Sequence, residues 1–228
     1  MWTTMPKRMR SAIAVTAAVM TLAASASALA EPGPRKLSYY DFRRGVFALS
    51  KLERAPIVML GDSITEAAPW DELTGCRQLV NRGIGGDTTK GVLARLDEVI
   101  ALKPRAVFLM IGVNDITRNI PKETSVDNLR AILTRLERAD IKTFAAYVLP
   151  VARQRKKHND SVSALNVAFA DVLAEHPSTQ VIDLRPLVRN ADGYLRDDLS
   201  YDGLHLDAAG YALWRDVIAP HVAQYCGT

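Results

Sequence analysis

The chain has 228 residues, 48% hydrophobic, 24% charged and 7% aromatic, a composition that excludes collagen-like, disordered and disulfide-scaffold classes. Its formal charge of +4 does not point to nucleic acid. Lys7, Arg8 and Arg10 precede the first acidic residue, Glu31, and the remainder carries 26 basic against 25 acidic side chains, or +1.

The first element is a leader. A basic start is followed by an uncharged stretch from Ser11 to Ala30 that ends in Ala28-Leu29-Ala30, an A-x-A cleavage pattern. A spanning helix needs about 20 predominantly apolar residues. Here six of the twenty are large and apolar, and the rest are Ala, Ser or Thr. Residues 1–30 therefore read as a signal peptide. The mature chain, Glu31 to Thr228, is expected to be periplasmic or secreted, without stable membrane insertion.

Beyond the leader, Lys36–Arg54 is expected to form a helix. Short apolar runs at Ile57–Leu60, Gln78–Asn81, Ala106–Ile111, Thr143–Leu149 and Gln180–Leu184 predict five strands. The first, third and fourth are continuously apolar, as strands covered on both faces are. Helical stripes lie between and after them: Val92, Leu96 and Val99; Val126, Leu129, Leu133 and Leu136; Val162, Leu165, Phe169 and Val172; Leu213, Trp214, Val217 and Ile218. This alternation predicts one parallel sheet with helices on both faces. Ligands of such sheets sit at the carboxyl ends of the strands, so the polar residues just after each strand carry the chemistry.

Four such places stand out. Gly61-Asp62-Ser63 follows the first strand, where a serine in a tight strand-to-helix turn presents its hydroxyl or caps the helix. Asn81 to Thr89 follows the second and contains Gly83, Gly85 and Gly86, which let backbone N–H groups approach an anion; Asp87 or Thr88 would cap the next helix. Gly112-Val113-Asn114-Asp115 follows the third. The Asn114 amide can donate to an oxyanion, as a carboxylate cannot, or close an Asx-turn. Asp202-Gly203-Leu204-His205 precedes the last helix, and a carboxylate and imidazole three residues apart can pair, leaving the second ring nitrogen as a base. The run Arg153 to Lys157 reads as a solvated loop near the mouth of this site. The two cysteines, Cys76 and Cys226, have neither CxxC nor Cys/His ligand spacing, so no zinc, redox or other cofactor site is expected. They read as a pair or as two unrelated thiols.

Together and in this order, the four blocks resemble the SGNH hydrolases, also called the GDSL esterase and lipase family, over nearly the whole mature chain. The stretch Asn81–Thr89 is similar to the platelet-activating-factor acetylhydrolase-like branch and to secreted bacterial acylhydrolases. Two departures are modest: Ile64-Thr65 stands where Leu-Ser or Leu-Thr is commoner, and Leu206 where many members have proline. The resemblance implies a single domain over residues 31–228, a three-layer α/β/α sandwich of flavodoxin-like type with a five-stranded parallel sheet, and a metal-free ester hydrolase. It implies Ser63 as nucleophile, His205 as base and Asp202 as its acid, with an oxyanion hole from the N–H groups of Ser63 and Gly86 and the Asn114 amide. Asp183 is the rival acid, while Asp62, Asp87 and Asp115 are expected to be structural. The expected substrate is a small ester, an acylated sugar or lipid, with a short acyl group; Trp70 and Leu204 would line a small pocket or, for Trp70, the core. The alternatives are a thioesterase or lysophospholipase of the same fold, and a flavodoxin-like binding module without chemistry. In this architecture Cys76 and Cys226 both fall at the end of the sheet opposite the site, which predicts a disulfide between them.

Overall fold

Residues of high β-propensity set the frame. The computed structural model describes residues 37–227, so the leader lies outside them. The strands are β1 (Ile57–Gly61), β2 (Leu79–Gly83), β3 (Ala106–Met110), β4 (Lys142–Ala146) and β5 (Gln180–Ile182), all parallel in the order β2-β1-β3-β4-β5. Every residue of β1 and β3 is buried, as expected where helices cover both faces. The outer strand β5 buries only Ile182.

The chain runs outward from β1 to β2 and then returns to β3 on the other side of β1. The strand order thus reverses between β1 and β3, where α/β sheets open a crevice for ligands. Gly61 is paired in register with Gly83 on one side and Met110 on the other. The three loops that follow therefore leave the sheet level with one another.

The helix Lys122–Arg138 packs against Thr89–Ala94, Asn159–Ala174 and β4. Its Leu129, Ile132, Leu133 and Leu136 are buried, each contributing about 1.5–3 kcal/mol relative to exposure. Ala208–Ala223 packs against Trp70–Thr74. Trp214 and Ile218 of that helix face Phe108 and Phe144 across a small void, and the two phenylalanine rings stack with centroids 4.6 Å apart. The architecture is the three-layer α/β/α sandwich with a five-stranded parallel sheet.

Local differences from the sequence reading have identifiable causes. The stripe Val92, Leu96, Val99 is not one helix but two, Thr89–Ala94 and Leu96–Ile100, broken at Arg95 (φ −109°, ψ 10°). The Arg95 side chain turns inward to form a buried ion pair, and the backbone follows it. The first helix is shorter than expected, Tyr39–Ala48 with Ser38 as its N-cap, and none of its residues is buried. On the last helix the buried positions are Gly210, Trp214, Ile218 and Val222, with Leu213 and Val217 only partly covered. Cys76 and Cys226 are joined by a disulfide with their Cα atoms 5.8 Å apart. Among the described residues, no helix is long and apolar enough to cross a membrane.

Candidate active site

The site grows from the end of β1. A side chain at Gly61 would bring a Cβ within 2.3 Å of both the Met110 carbonyl and Thr65 Oγ1, so only glycine fits between β3 and the turn. Asp62 caps the short helix Ser63–Glu66, accepting from the Ile64 N–H at 3.0 Å. Capping falls to Asp62, which leaves the Ser63 hydroxyl free for another partner. Ser63 Oγ lies 2.9 Å from His205 Nε2, and His205 Nδ1 lies 2.8 Å from Asp202 Oδ2.

The Asp202–His205 turn is held by its own short-range bonds. Asp202 Oδ1 accepts from the N–H groups of Leu204 (2.9 Å) and His205 (2.8 Å). The Ser200 hydroxyl donates to the His205 carbonyl and accepts from the Gly203 N–H. Burial pushes the Asp202 carboxyl up, but the His205 and Leu204 N–H groups and the imidazole outweigh it, so Asp202 stays below the usual carboxylate range. With Asp202 ionised, the imidazole donates from Nδ1 and presents Nε2 as an acceptor to the serine hydroxyl.

Leaving the same edge of the sheet, level with the end of β1, is the loop after β2. Gly86 has φ +74°, a left-handed conformation that favours glycine. Among the described residues no acceptor meets the N–H of Gly86 or of Ser63, whereas the neighbouring Gly85 N–H is bound by Glu66 at 2.6 Å. Asn114, in the helix Val113–Thr117 after β3, donates one amide hydrogen to the Asp87 carbonyl at 2.9 Å. An amide nitrogen carries two hydrogens, so this bond fixes the side chain and leaves one donor.

The structure therefore brings Ser63, Gly86, Asn114, Asp202 and His205 to one edge of the sheet. It places the remaining candidates elsewhere. Asp183 is engaged by Arg185 at 2.7 and 2.8 Å. Trp70 is fully buried, donates to the Thr65 carbonyl at 2.7 Å and meets Trp214 edge to face, so it belongs to the core. Leu204 is partly buried. Thr88, not Asp87, caps the next helix.

Beneath the loops lies a buried polar layer. Asp87 pairs with Arg95 at 2.8 Å, both side chains 1% exposed, and Arg95 also donates to the Gly61 carbonyl. One guanidinium thus ties the residue after Gly86 to the strand end that carries Ser63. Asp115 accepts from the Thr89 N–H and hydroxyl and from the Ser125 hydroxyl. Asp62, almost wholly enclosed, has its carboxyl pushed up to about 7, chiefly by burial. Sequence reading missed Arg95, although an arginine three residues after Val92 on a buried stripe is a signal. The run read as a solvated loop at the site mouth is there and mostly exposed, folded as a short 3₁₀ helix, Arg153–His158, from which Arg155 Nε donates to the Asp202 carbonyl at 3.1 Å. The Tyr201 ring stacks on that of His205 with centroids 5.8 Å apart. Among the described residues, no group of three or more His, Cys, Asp or Glu side chains is arranged to hold a metal ion.

A family model described as "GDSL-like Lipase/Acylhydrolase family" matches residues 59–213. The chain is 29% identical over 176 residues to platelet-activating factor acetylhydrolase IB subunit alpha1 of Pongo abelii, covering 72% of this chain and 73% of that protein. Among solved structures, the lipase/acylhydrolase from Enterococcus faecalis aligns with a TM-score of 0.64 at 26% identity, over 75% of this chain and 97% of that one. A GDSL-like lipase from Bacteroides thetaiotaomicron VPI-5482 aligns with a TM-score of 0.69 at 23% identity, over 81% and 97%, a likeness of fold.

Proposed function

The chain belongs to the GDSL-like lipase/acylhydrolase family and is a carboxylic ester hydrolase, and from that premise we propose that it removes short acyl groups, acetyl foremost, through a Ser63–His205–Asp202 triad. The observation that carries this reading is the continuous hydrogen-bonded line from Ser63 Oγ through the imidazole to Asp202, at 2.9 and 2.8 Å.

In this mechanism His205 Nε2 takes the Ser63 proton as Oγ attacks the acyl carbonyl, and Asp202 stabilises the imidazolium that forms. The N–H groups of Ser63 and Gly86 and the second Asn114 hydrogen receive the oxyanion, where fixed donors act most strongly. Collapse of the tetrahedral intermediate breaks the ester C–O bond, and His205 returns the proton to the departing alcohol. Water, deprotonated by the same nitrogen, then cleaves the acyl-serine and restores the hydroxyl.

One observation supports the short acyl group: the curated relatives are named acetylhydrolases. A leader cleaved after Ala30 would deliver the chain outside the cytoplasm, a location supported by the Cys76–Cys226 disulfide, since such bonds persist in oxidising compartments. Intact mass of the exported protein is expected to start at Glu31.

The test is a series of p-nitrophenyl esters from acetyl to decanoyl. kcat/KM is expected to peak between acetyl and butyryl and to fall steeply by octanoyl, because a closed pocket forfeits about 0.8 kcal/mol per methylene and adds strain. A profile that rises through decanoyl replaces this reading with the thioesterase or lysophospholipase alternative.

A further inference from the structure

The helix Tyr39–Ala48 is built inside out. An amphipathic surface helix ordinarily turns its apolar face to the core. Here the inward face is polar: Tyr39 Oη donates to Glu66, Tyr40 Oη donates to the Gly91 carbonyl, and Arg43 and Arg44 pair with Glu66 and Glu98. Phe47 is held between the guanidinium groups of Arg43 and Arg82, at 4.9 and 4.7 Å. Three large apolar side chains point away: Phe42, Val46 and, at the C-cap, Leu49 are exposed, Leu49 to 77%. Their spacing of four and three residues makes one stripe along the helix.

Both ends of this stripe are occupied. At its start the Tyr39 ring covers Gly85 and lines the cavity at Gly86. Past its end, exposed Leu52 lines a cleft of about 490 Å³ at the opposite end of the sheet. That cleft contains Arg54, Arg77, Lys103 and Arg105 and not one carboxylate. Among the described residues, Arg54, Arg77 and Lys103 make no ion pair.

From this juxtaposition, an apolar stripe that continues into a basic cleft where Arg54, Arg77 and Lys103 make no ion pair among the described residues, we infer that this edge of the molecule docks on an anionic phospholipid surface. Phe42, Val46 and Leu49 enter the acyl boundary, as interfacial helices do. Arg54, Arg77 and Lys103 meet the phosphate headgroups, with Leu52 at the junction. Charge complementarity selects this occupant over a second copy of the chain, which would bring a like-charged cleft. The stripe begins three residues after Tyr39, whose ring covers Gly85, so docking sets the site beside amphiphilic esters held in the same surface. The short-acyl reading is compatible with this, because the acyl group removed and the lipid character of the alcohol are separate properties.

The experiment is co-sedimentation of the mature chain, Glu31 to Thr228, with vesicles of phosphatidylcholine alone or with phosphatidylglycerol added. Three proteins are compared: the wild type, Phe42→Ser/Val46→Ser/Leu49→Ser, and Arg54→Gln/Arg77→Gln/Lys103→Gln. All three lack the uncharged stretch Ser11–Ala30, so it contributes nothing to binding. The wild type is expected to bind the anionic vesicles, losing affinity as salt rises. The stripe variant should bind at least ~10-fold and the cleft variant ~5-fold or more weakly. Hydrolysis of water-soluble p-nitrophenyl acetate should stay within about twofold in both variants. Equal binding by all three proteins, equal binding to the two vesicle types, or a wild type left in the supernatant overturns the inference. So does a self-associating wild type that the stripe variant renders monomeric, which assigns the stripe to a second copy. Failure of the wild type to hydrolyse any ester would count against the proposed function and leave the vesicle result standing.

Discussion

The two halves of the site are held by different means. The proposed oxyanion half, Gly86 and Asn114, rests on partners distant in sequence: Arg95 joins Asp87 to the end of β1, and Asp115 gathers Thr89 and Ser125. These carboxylates and the guanidinium are 1–3% exposed. The Asp202–His205 half is held mainly by bonds spanning two to five residues, and its carboxylate and imidazole side chains are 29% and 22% exposed. The first half is thus part of the folded core, and the second is a self-contained turn mounted on it. Substitutions in the turn are therefore expected to remove activity and spare stability, while substitutions in the buried layer damage both.

The largest effect belongs to the turn. His205→Ala and Asp202→Asn are each expected to lower kcat by roughly 10⁴-fold, the second through loss of imidazole orientation and charge stabilisation. Their thermal midpoints should stay within a few degrees of the wild type. A comparable loss in Asp183→Asn would break the assignment, and none is expected because Asp183 is committed to Arg185.

Next comes the buried layer. Arg95→Met leaves Asp87 enclosed without its cation, which typically costs about 3–5 kcal/mol. Urea denaturation should register that loss, and kcat should fall with it as Gly86 loses its anchor. A fully stable Arg95→Met protein would dissolve the contrast between the two halves.

Asn114→Ala sharpens the comparison from within the first half. Asn114 holds the Asp87 carbonyl and, in the proposed mechanism, supplies a donor to the oxyanion. kcat is expected to fall roughly 10²–10³-fold with little change in KM, since the donor matters mainly once the oxyanion has formed.

The smallest effect on catalysis belongs to a pH dependence of stability. Asp62 titrates near 7 when folded against 3.8 ordinarily, so between those values the unfolded chain has released a proton that the native protein keeps. Stability from this group is full below 3.8 and is lost as pH rises through about 7. Asp62→Asn keeps a side-chain oxygen to cap Ile64 and removes the titration. Its stability should exceed that of the wild type above pH 7 and converge with it in acid, as read from midpoints at several pH values.

The same contrast sets how much was legible in the sequence. β1 and β3 could be read as strands because both faces are covered and every residue is apolar. Asp202, Gly203, Leu204 and His205 could be read as a unit because their partners are their own neighbours. The buried layer could not, since nothing near Arg95 in sequence names Asp87 and Gly61 as its partners. The break at Arg95 and the capping by Thr88 follow from that pairing. The apolar pattern of residues 39–49 announces a helix and is silent about which way its face turns. That direction is fixed by Glu66, Gly91 and Glu98, all brought there by the fold.

The central claim is that Ser63 is the nucleophile, activated by the His205–Asp202 turn. The oxygen of an activated serine attacks the phosphorus of a fluorophosphonate and displaces fluoride, leaving the phosphonyl group bound to the serine. Intact-mass measurement after treatment should show one adduct per chain, peptide mapping should put it on Ser63, and the adduct should be absent in His205→Ala. An unlabelled wild type, or an adduct on another residue while hydrolysis is lost, would contradict the account.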